Sequence, residues 1–374
     1  MRLLDRTPRA LLAATLLTAP LLAATATAAR ADATLDRARA VVSAATKPSS
    51  TWDGPTTGPK AAGRKLVVYV AADQRNGGIQ ENGDGVKEAG KAIGWDIRVL
   101  DGQGSVSGIR SAFSQAVALK PAGIVIGGYD VVQNSADIAQ AAAAGIAVVA
   151  WHGGPKPGPM PEQKVFSNIG SDSAQVAKVA ADYAIAESGG KAGVVIFTDS
   201  AYAIALSKAR MMEAEIRTCP GCTVLSFEDT PLADTSTRVA PLTTALLQRL
   251  GQKWTYSLAI NDLYYDFIAP PLTSAGRDGA GPPVNISAGD GSNSAFERIR
   301  DGEFQAATVP EPLILQGWQV VDELNRAFNG QPASGYVAPV HLVTKANVDL
   351  DGGKKDIYDP DNHYRDAYRR IWGR

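Results

Sequence analysis

Side chains that can bind a ligand follow the short apolar runs of this chain, at the point where each run ends. Trp151-His152, Asn261-Asp262 and Gly289-Asp290-Gly291 are three such places. Carboxylates accept hydrogen bonds, amides both donate and accept them, and aromatic faces cover apolar parts of a ligand. These residue types therefore allow polar recognition, and His152 could in addition serve a nucleophile as a base.

The runs that precede these residues predict buried strands. Leu66–Ala71, Gly123–Gly128 and Val194–Phe197 are continuously apolar and rich in β-branched residues, as are strands covered on both faces of a parallel sheet. Helical stretches alternate with them from Lys65 onward. The alternation predicts an α/β protein with doubly wound parallel sheets, in which ligands bind at the carboxyl ends of the strands. The functional groups fall into two sets along the chain, which favours two domains.

Enzyme motifs are the first alternative. Gly102-x-Gly104-x-x-x-Gly108 resembles a loosened dinucleotide fingerprint, but it follows the second strand, and a plain turn is the better interpretation. The chain has no Gly-x-Ser-x-Gly elbow and no phosphate-binding Gly-x-x-x-x-Gly-Lys loop. Asp349-x-Asp351 and Asp359-x-Asp361 lack the spacing of an EF-hand. We therefore expect a binding protein without catalytic residues, cofactor or metal.

Residues 1–31 have the features of a signal peptide. An arginine-containing start precedes an apolar stretch from Leu11 to Ala28, and both Ala26-Thr27-Ala28 and Ala29-Arg30-Ala31 fit the cleavage rule. A transmembrane anchor is the alternative, disfavoured because alanine and threonine dominate the stretch. The formal net charge of −1 argues against a nucleic-acid partner, which needs a basic face. We expect an exported protein.

Cys219 and Cys222 are the two cysteines, in Cys-Pro-Gly-Cys. A pair in an oxidising compartment predicts a disulfide. A redox motif is the alternative, but thioredoxin-like sites open a helix after a strand, whereas this pair follows a predicted helix and precedes a strand.

The order of motifs resembles the periplasmic substrate-binding proteins of bacterial ABC sugar importers of the ribose and galactose type. The similarity covers roughly residues 64 to 344. It depends on the following motifs: Asp84-Gly85, Val99-Leu-Asp101, Gly-Ser-Asp172, Ile-Asn-Asp262, Gly-Asp-Gly291 and Ala-Thr-Val309.

The resemblance implies two lobes with a three-segment hinge, crossing near Gly170-Ser171, Glu311-Pro312 and Val340-His341. The lobes that it implies are an N-terminal lobe (64–170 plus 312–340) and a C-terminal lobe with the tail (171–311 plus 341–374). The residues themselves indicate the segments before them, which are the signal peptide (1–31) and an N-terminal helix with an extended lead-in (32–63) outside the family core. It further implies a periplasmic monomer whose hinge closes on a sugar, polyol or related alcohol for delivery to an importer permease.

By the same resemblance, ligand hydroxyls are bound by Asn261, Asp290 and Glu311, and aromatic faces cover the ring. The candidates for stacking are Tyr129, Trp151, Tyr202 and Tyr264. Further candidate ligand-binding residues are Asn76, Asp130, His152, Lys208 and Arg210.

Departures from the family pattern concern the ligand. His152-Gly153, preceded by Trp151, stands where the ribose type has an Asp-Arg pair, and the loop of Arg75-Asn76 lacks the paired aromatics. Loss of a bidentate arginine removes strong hydroxyl contacts. A different polyol, a smaller alcohol or a non-sugar stays open as ligand. A periplasmic sensor for a chemoreceptor or histidine kinase, and an exported enzyme, are the alternative functions.

Overall fold

The computed structural model describes the backbone of residues 19–374 and side chains from residue 31 onward. Residues 1–18 of the predicted signal peptide lie outside the described residues. Within the described part, no helix combines the length and the apolar character needed to cross a membrane. The strands are β1 (Leu66–Ala71), β2 (Asp96–Asp101), β3 (Gly123–Gly127), β4 (Ala147–Trp151), β5 (Gly158–Met160), β6 (Val165–Ile169), β7 (Gly193–Thr198), β8 (Thr223–Asp229), β9 (Tyr256–Ala259), β10 (Val284–Ser287), β11 (Ala307–Thr308) and β12 (Val343–Thr344).

Helices alternate with these strands, as predicted. They are α1 (Ala19–Ala45), α2 (Gly77–Ile93), α3 (Val106–Ala118), α4 (Ser135–Ala143), α5 (Ser173–Glu187), α6 (Ala203–Ile216), α7 (Thr235–Leu250), α8 (Ala269–Ser274), α9 (Asn293–Asp301), α10 (Leu313–Phe328), α11 (Val348–Asp351) and α12 (Tyr364–Trp372). A short 3-10 helix, Asp262–Asp266, precedes α8, whereas the sequence pattern predicts one helix over about residues 263–275. Pro270 and Pro271 follow this turn, and a helix cannot run through proline without losing a backbone hydrogen bond.

Two six-stranded sheets organise the chain. The first has the order β2-β1-β3-β4-β6-β5 and the second β12-β11-β10-β9-β7-β8. Only the β5–β6 and β11–β12 pairs are antiparallel. The central strands β1, β3 and β7 are buried almost throughout, and each fully buried aliphatic side chain contributes about 1.5–3 kcal/mol. The predicted fold class, two doubly wound α/β domains, is confirmed.

Two glycines set the position of α2 against α10. A Cβ on Gly85 would lie 2.7 Å from the carbonyl oxygen of Ile314, and one on Gly317 would lie 2.5 Å from a backbone atom of Gly85. Only glycine permits an approach this close. The contact brings the first turn of α2 over the cleft between the lobes.

The two ends of the chain also cross between the lobes. Ala38 and Ala45 of α1 belong to the core of the second lobe. The lead-in then runs to the first lobe, where the Trp52 ring lies 5.0 Å from that of Tyr336 and 5.4 Å from that of Tyr368. The N-terminal segment therefore connects both lobes.

The C-terminal tail divides in the same way. Val343 and Val348 pack with α9 of the second lobe, whereas Tyr368 and Trp372 of α12 are buried in the core of the first. The predicted assignment of residues 341–374 to the C-terminal lobe is therefore wrong for α12. The physical reason is the apolar face of α12. The ring of Trp372 on this face stacks on the ring of Trp318 in α10, with the ring centroids 5.4 Å apart.

The cysteine pair follows α6 and precedes β8. The sulfur atoms of Cys219 and Cys222 lie 2.19 Å apart, with a Cα–Cα distance of 5.3 Å. Cys219 is buried against the second core, which fixes the turn between helix and strand.

Candidate functional site

A cleft lies between the carboxyl ends of the two sheets and encloses a cavity of about 260 Å³. The lobes touch beside it, because Gln133 Nε2 of the first lobe donates to the carbonyl oxygen of Ala201 in the second at 3.2 Å. Seven predicted residues line this cavity: Asn76, Trp151, His152, Tyr202, Lys208, Asn261 and Asp290.

Asp290 lies beyond the carboxyl end of β10 and is 7% exposed. Its Oδ2 accepts a hydrogen bond from Asn261 Nδ2 at 2.9 Å, and Asn261 Oδ1 accepts one from the backbone N–H of Leu263 at 3.0 Å. Burial raises the pKa of Asp290, and the charges of His152 and Lys208 offset part of that increase. The pair offers a ligand one preoriented carboxyl group and one preoriented amide.

His152 is held by a closed set of contacts on the hinge. Its ring stacks on Trp151 with centroids 3.8 Å apart, and its Nε2 lies 2.9 Å from Glu311 Oε1. Glu311 Oε2 accepts from Gln316 Nε2 at 2.8 Å, and Gln316 Oε1 accepts from Trp151 Nε1 at 2.6 Å. The backbone N–H of Ser171 also donates to Glu311 Oε2. The first and second crossings are thereby joined through one carboxylate.

The electrostatics of Glu311 follow from these partners. Burial alone would raise the pKa of Glu311, but the charge and hydrogen bond of His152, the charge of Lys208 and the Gln316 hydrogen bond together hold it well below its usual range. A buried carboxylate keeps its charge when donors and cations surround it in this way.

Of the two basic candidates on α6, only Lys208 reaches the cleft. It is 4% exposed, and its Nζ donates to the carbonyl oxygen of Ala288 at 2.5 Å. Arg210 is exposed, pairs with Glu213 at 2.7 Å and lies over the Phe227 ring. The prediction that Arg210 lines the site is wrong, because residues two apart on a helix face nearly opposite directions.

Most of the predicted stacking residues have other partners. Tyr264 is fully buried, and its hydroxyl donates to the carbonyl oxygen of Thr230 at 2.7 Å. Tyr129 belongs to the core of the first lobe. Trp151 reaches the cavity, but His152 covers a face of its ring. The stacking roles of Tyr129 and Tyr264 are therefore corrected, and Tyr202 at the cavity edge remains a candidate.

Two further predicted residues lie outside the cavity lining. Asp130 Oδ1 accepts from the backbone N–H groups of Val132 and Gln133, so Asp130 stabilises a turn. Glu311 lies behind His152 and acts through it. Asp130 follows the end of β3 and Glu311 precedes α10. A polar residue at such a position can stabilise the local backbone as readily as it can bind a ligand.

Sequence reasoning missed the apolar part of the lining. Its members are Ile79, Ile204, Ala205, Leu232, Ala233, Ile260, Leu263 and Phe267. Apolar residues at loop starts carry no local signal that separates a cleft wall from a core. The Asp73–Arg75 ion pair (2.7 Å) at the cavity was also missed as a site feature.

Within the described residues, His152, Asp290 and Glu311 form the one compact group of side chains that could hold a metal ion, with ligand atoms within 4.8 Å of one another. Glu311 already accepts hydrogen bonds on both oxygens, and the ammonium group of Lys208 acts on both carboxylates. A nearby cation opposes metal binding. The group fits hydroxyl recognition better than metal coordination.

Comparisons with solved structures agree with this fold. A glucose-galactose binding protein from Geobacillus stearothermophilus superposes with a TM-score of 0.67 at 19% identity, covering 76% of this chain and 99% of that one. A carbohydrate transporter solute-binding protein from Agrobacterium radiobacter, in complex with D-arabinose, gives 0.67 at 20% identity and 79% and 99% coverage. A solute-binding protein from Bacillus halodurans with bound myo-inositol gives 0.65 at 16% identity and 78% and 98% coverage.

No curated protein matches the chain. A family model described as the periplasmic binding protein domain matches residues 67–332, which is most of the chain. The match runs from β1 to just beyond the end of α10, leaves out β12, and includes every residue of the Asp290–Asn261 and His152–Glu311 contacts. On this evidence the chain belongs to the periplasmic binding protein family.

Proposed function

We propose that this protein is an exported solute receptor that closes on a small polar ligand and delivers it to an ABC importer. The observation that carries the proposal is the Asp290–Asn261 pair, buried between the lobes at the carboxyl ends of two neighbouring strands. Such a pair binds vicinal hydroxyls, because the carboxyl group accepts while the amide both donates and accepts.

The relatives support sugars and polyols as the ligand class. The structures similar to this chain hold arabinose or inositol, or are described as binding glucose and galactose. The cavity of about 260 Å³ is of a size for a single small molecule. Periplasmic location, removal of residues 1–31, the monomeric state and partnership with a permease belong to the same proposal.

The proposed export also predicts the oxidation state of the two cysteines. Within the proposal Cys219 and Cys222 stay joined in the oxidising periplasm and take no part in thiol exchange. Labelling of unreduced, denatured protein from a periplasmic extract should find no free thiol. Intact mass of the same sample checks the cleavage near Ala29 or Asp32.

The substitution Asp290→Ala tests the site. A ligand-bound carboxylate contributes about 1.5–3 kcal/mol, so we expect at least tenfold weaker binding of whichever of D-arabinose, myo-inositol, glucose or galactose raises the wild-type melting temperature. Asn261→Ala should behave alike. Calorimetric titration measures the affinity, and melting of the free proteins measures stability.

Arg210→Ala is the matched control, since Arg210 lies on the same lobe outside the cleft. It should leave the affinity unchanged. Wild-type affinity in Asp290→Ala, together with a lower melting temperature, would mean that Asp290 only stabilises the scaffold and would withdraw the site.

A further inference from the structure

The cleft has a polar end and an apolar end. The polar end is formed by Asp290, Asn261, His152 and Lys208. The apolar end has an aliphatic wall built by the second lobe, with Phe267 as an added aromatic ring. The half-buried members of the wall are Ile204, Leu232, Leu263 and Phe267.

Strand order separates these ends. In the second sheet the sequence of neighbours is β10-β9-β7-β8. Asp290 and Asn261 follow β10 and β9, whereas Ile204 follows β7 and Leu232 follows β8. Neighbouring strands lie about 4.8 Å apart, so β10 and β8 are separated by roughly 14 Å. Asp290 is thus on the hinge side of the cleft and Leu232 is on the far side. Leu263 and Phe267, which follow Asn261 after β9, and Ile204, one turn before Lys208 on α6, lie where the two ends meet.

Two polar side chains near the apolar wall, Thr235 and Arg75, already have hydrogen-bond partners within the protein. Thr235 Oγ1 donates to the carbonyl oxygen of Leu232 at 2.9 Å. Arg75 donates to both carboxylate oxygens of Asp73, at 3.0 and 2.7 Å. A ligand hydroxyl placed against the side chains of Ile204, Leu232 or Leu263 would lose water without gaining a partner from them, which is unfavourable.

The aliphatic members of the wall differ from a surface made for sugar rings, and Tyr202 and Phe267 are the aromatic side chains at the cavity besides Trp151. Tyr129 and Tyr264 are used in the cores, and a face of Trp151 is covered by His152. Aliphatic side chains gain from burying any apolar group and have no preference for a ring face.

We propose that the ligand is a polyhydroxy compound with an aliphatic portion, of the class of deoxy sugars and alkane polyols. Its hydroxyls bind at Asp290 and Asn261, and its alkyl part packs on Leu232, Leu263 and Ile204. The inference rests on the proposed function and narrows its ligand class.

Matched probes test this inference. The pairs 1,2-hexanediol with 1,2,6-hexanetriol and L-rhamnose with L-mannose each differ by one hydroxyl. Calorimetric titration should show that the member with the methyl end binds about 10- to 100-fold more tightly in at least one pair, which is the range over which an apolar pocket rejects an added hydroxyl.

Variants of the wall locate the effect. Leu232→Asn should remove most of that preference while leaving the affinity for the more hydroxylated member within about twofold, and Ile204→Thr gives an independent check if Leu232→Asn fails to fold. Arg210→Ala, which lies on the same lobe outside the cavity, is the control. Melting of the free proteins verifies folding.

The outcomes separate this inference from the proposed function. Equal or tighter binding of the more hydroxylated members, or binding only of sugars without deoxy positions, overturns the aliphatic ligand class and leaves the receptor in place. Absence of binding by every sugar, polyol and alcohol in the series overturns both.

Discussion

Glu311 and Glu81 are two buried glutamates beside the cleft in opposite surroundings. Glu311 is 3% exposed and both its oxygens accept hydrogen bonds from His152, Ser171 and Gln316. Glu81 is 6% exposed, and neither of its oxygens has a hydrogen-bond partner. Similar burial therefore accompanies very different polar contacts.

The position of Glu81 follows from α2. Gly78, Glu81 and Gly85 lie on one face, since helical residues three and four apart are neighbours. A Cβ on Gly78 would lie 2.5 Å from Asp290 Oδ2, and Gly85 contacts Ile314. Glu81 therefore faces the junction between the lobes.

The charges around Glu81 are all acidic. Burial raises its pKa from 4.5 to about 8, with contributions from Asp262 and Asp290 of the second lobe and Asp84 of its own helix. Tyr69 of β1, which packs beneath this helix, donates its hydroxyl to the Ile79 carbonyl. At similar burial the pKa of Glu311 is lowered and that of Glu81 is raised, so hydrogen-bond donors and nearby charges, together with burial, decide the direction of the shift.

The largest effect should come from Glu311→Ala. Removal of the carboxylate leaves His152, Gln316 and the Ser171 N–H unpartnered in the hinge, and breaking such a buried pair costs about 3–5 kcal/mol of unfolding free energy. Glu311→Gln keeps an acceptor and a donor in place and should lose less. Urea unfolding of both variants measures this, and equal losses would show that charge alone matters.

Glu81→Gln should be more stable than the wild type, by an amount that grows as pH rises. The folded pKa of about 8 lies above the unfolded value of 4.5, so wild-type folding takes up a proton in this window and loses about 1.4 kcal/mol per pH unit relative to the variant. The two proteins should be equally pH-dependent below the window. Unfolding at pH 4, 6 and 8 gives the difference, and parallel curves would contradict a neutral Glu81.

Ligand binding should be accompanied by uptake of the same proton by Glu81. In the proposed function the lobes separate without ligand, so Glu81 should then move away from Asp290 and Asp262 and regain water. Wild-type affinity should therefore fall by up to about tenfold per pH unit as pH rises from roughly 4.5 to 8. Titrations at pH 7 in two buffers of different ionisation enthalpy should reveal proton uptake in the wild type. Uptake of equal size in Glu81→Gln would assign the proton to another group.

The smallest effect should come from Glu88→Gln, a third glutamate on the exposed face of α2. Its Oε1 accepts from Trp318 Nε1 at 3.1 Å, and it pairs with Arg365 at 2.5 Å while its side chain is 43% exposed. Exposed pairs contribute about 0–1 kcal/mol. The same urea unfolding measures the loss. A loss comparable to that of Glu311→Ala would contradict the expectation that burial decides how much a glutamate contributes to stability.

Much of the fold could be predicted because it depends on local patterns. Continuous apolar runs such as Leu66–Ala71 indicated central strands, and their alternation with helices indicated parallel sheets. The same reasoning placed Asn261 and Asp290 at strand ends. The path of the tail was not predictable, since nothing local tells α12 which of two apolar surfaces it will cover.

The sequence by itself determined the α/β class, the two lobes and the polar strand ends, because periodicity and strand-end position are properties of short segments. Only the tertiary structure decided which side chains share the cleft. It placed Lys208 inward and Arg210 outward, put Tyr264 in the core, and brought Glu81 against Asp290 although they are distant in sequence. Charge state, stacking and cavity shape depend on neighbours from other elements, and only packing of the two lobes brings those neighbours together.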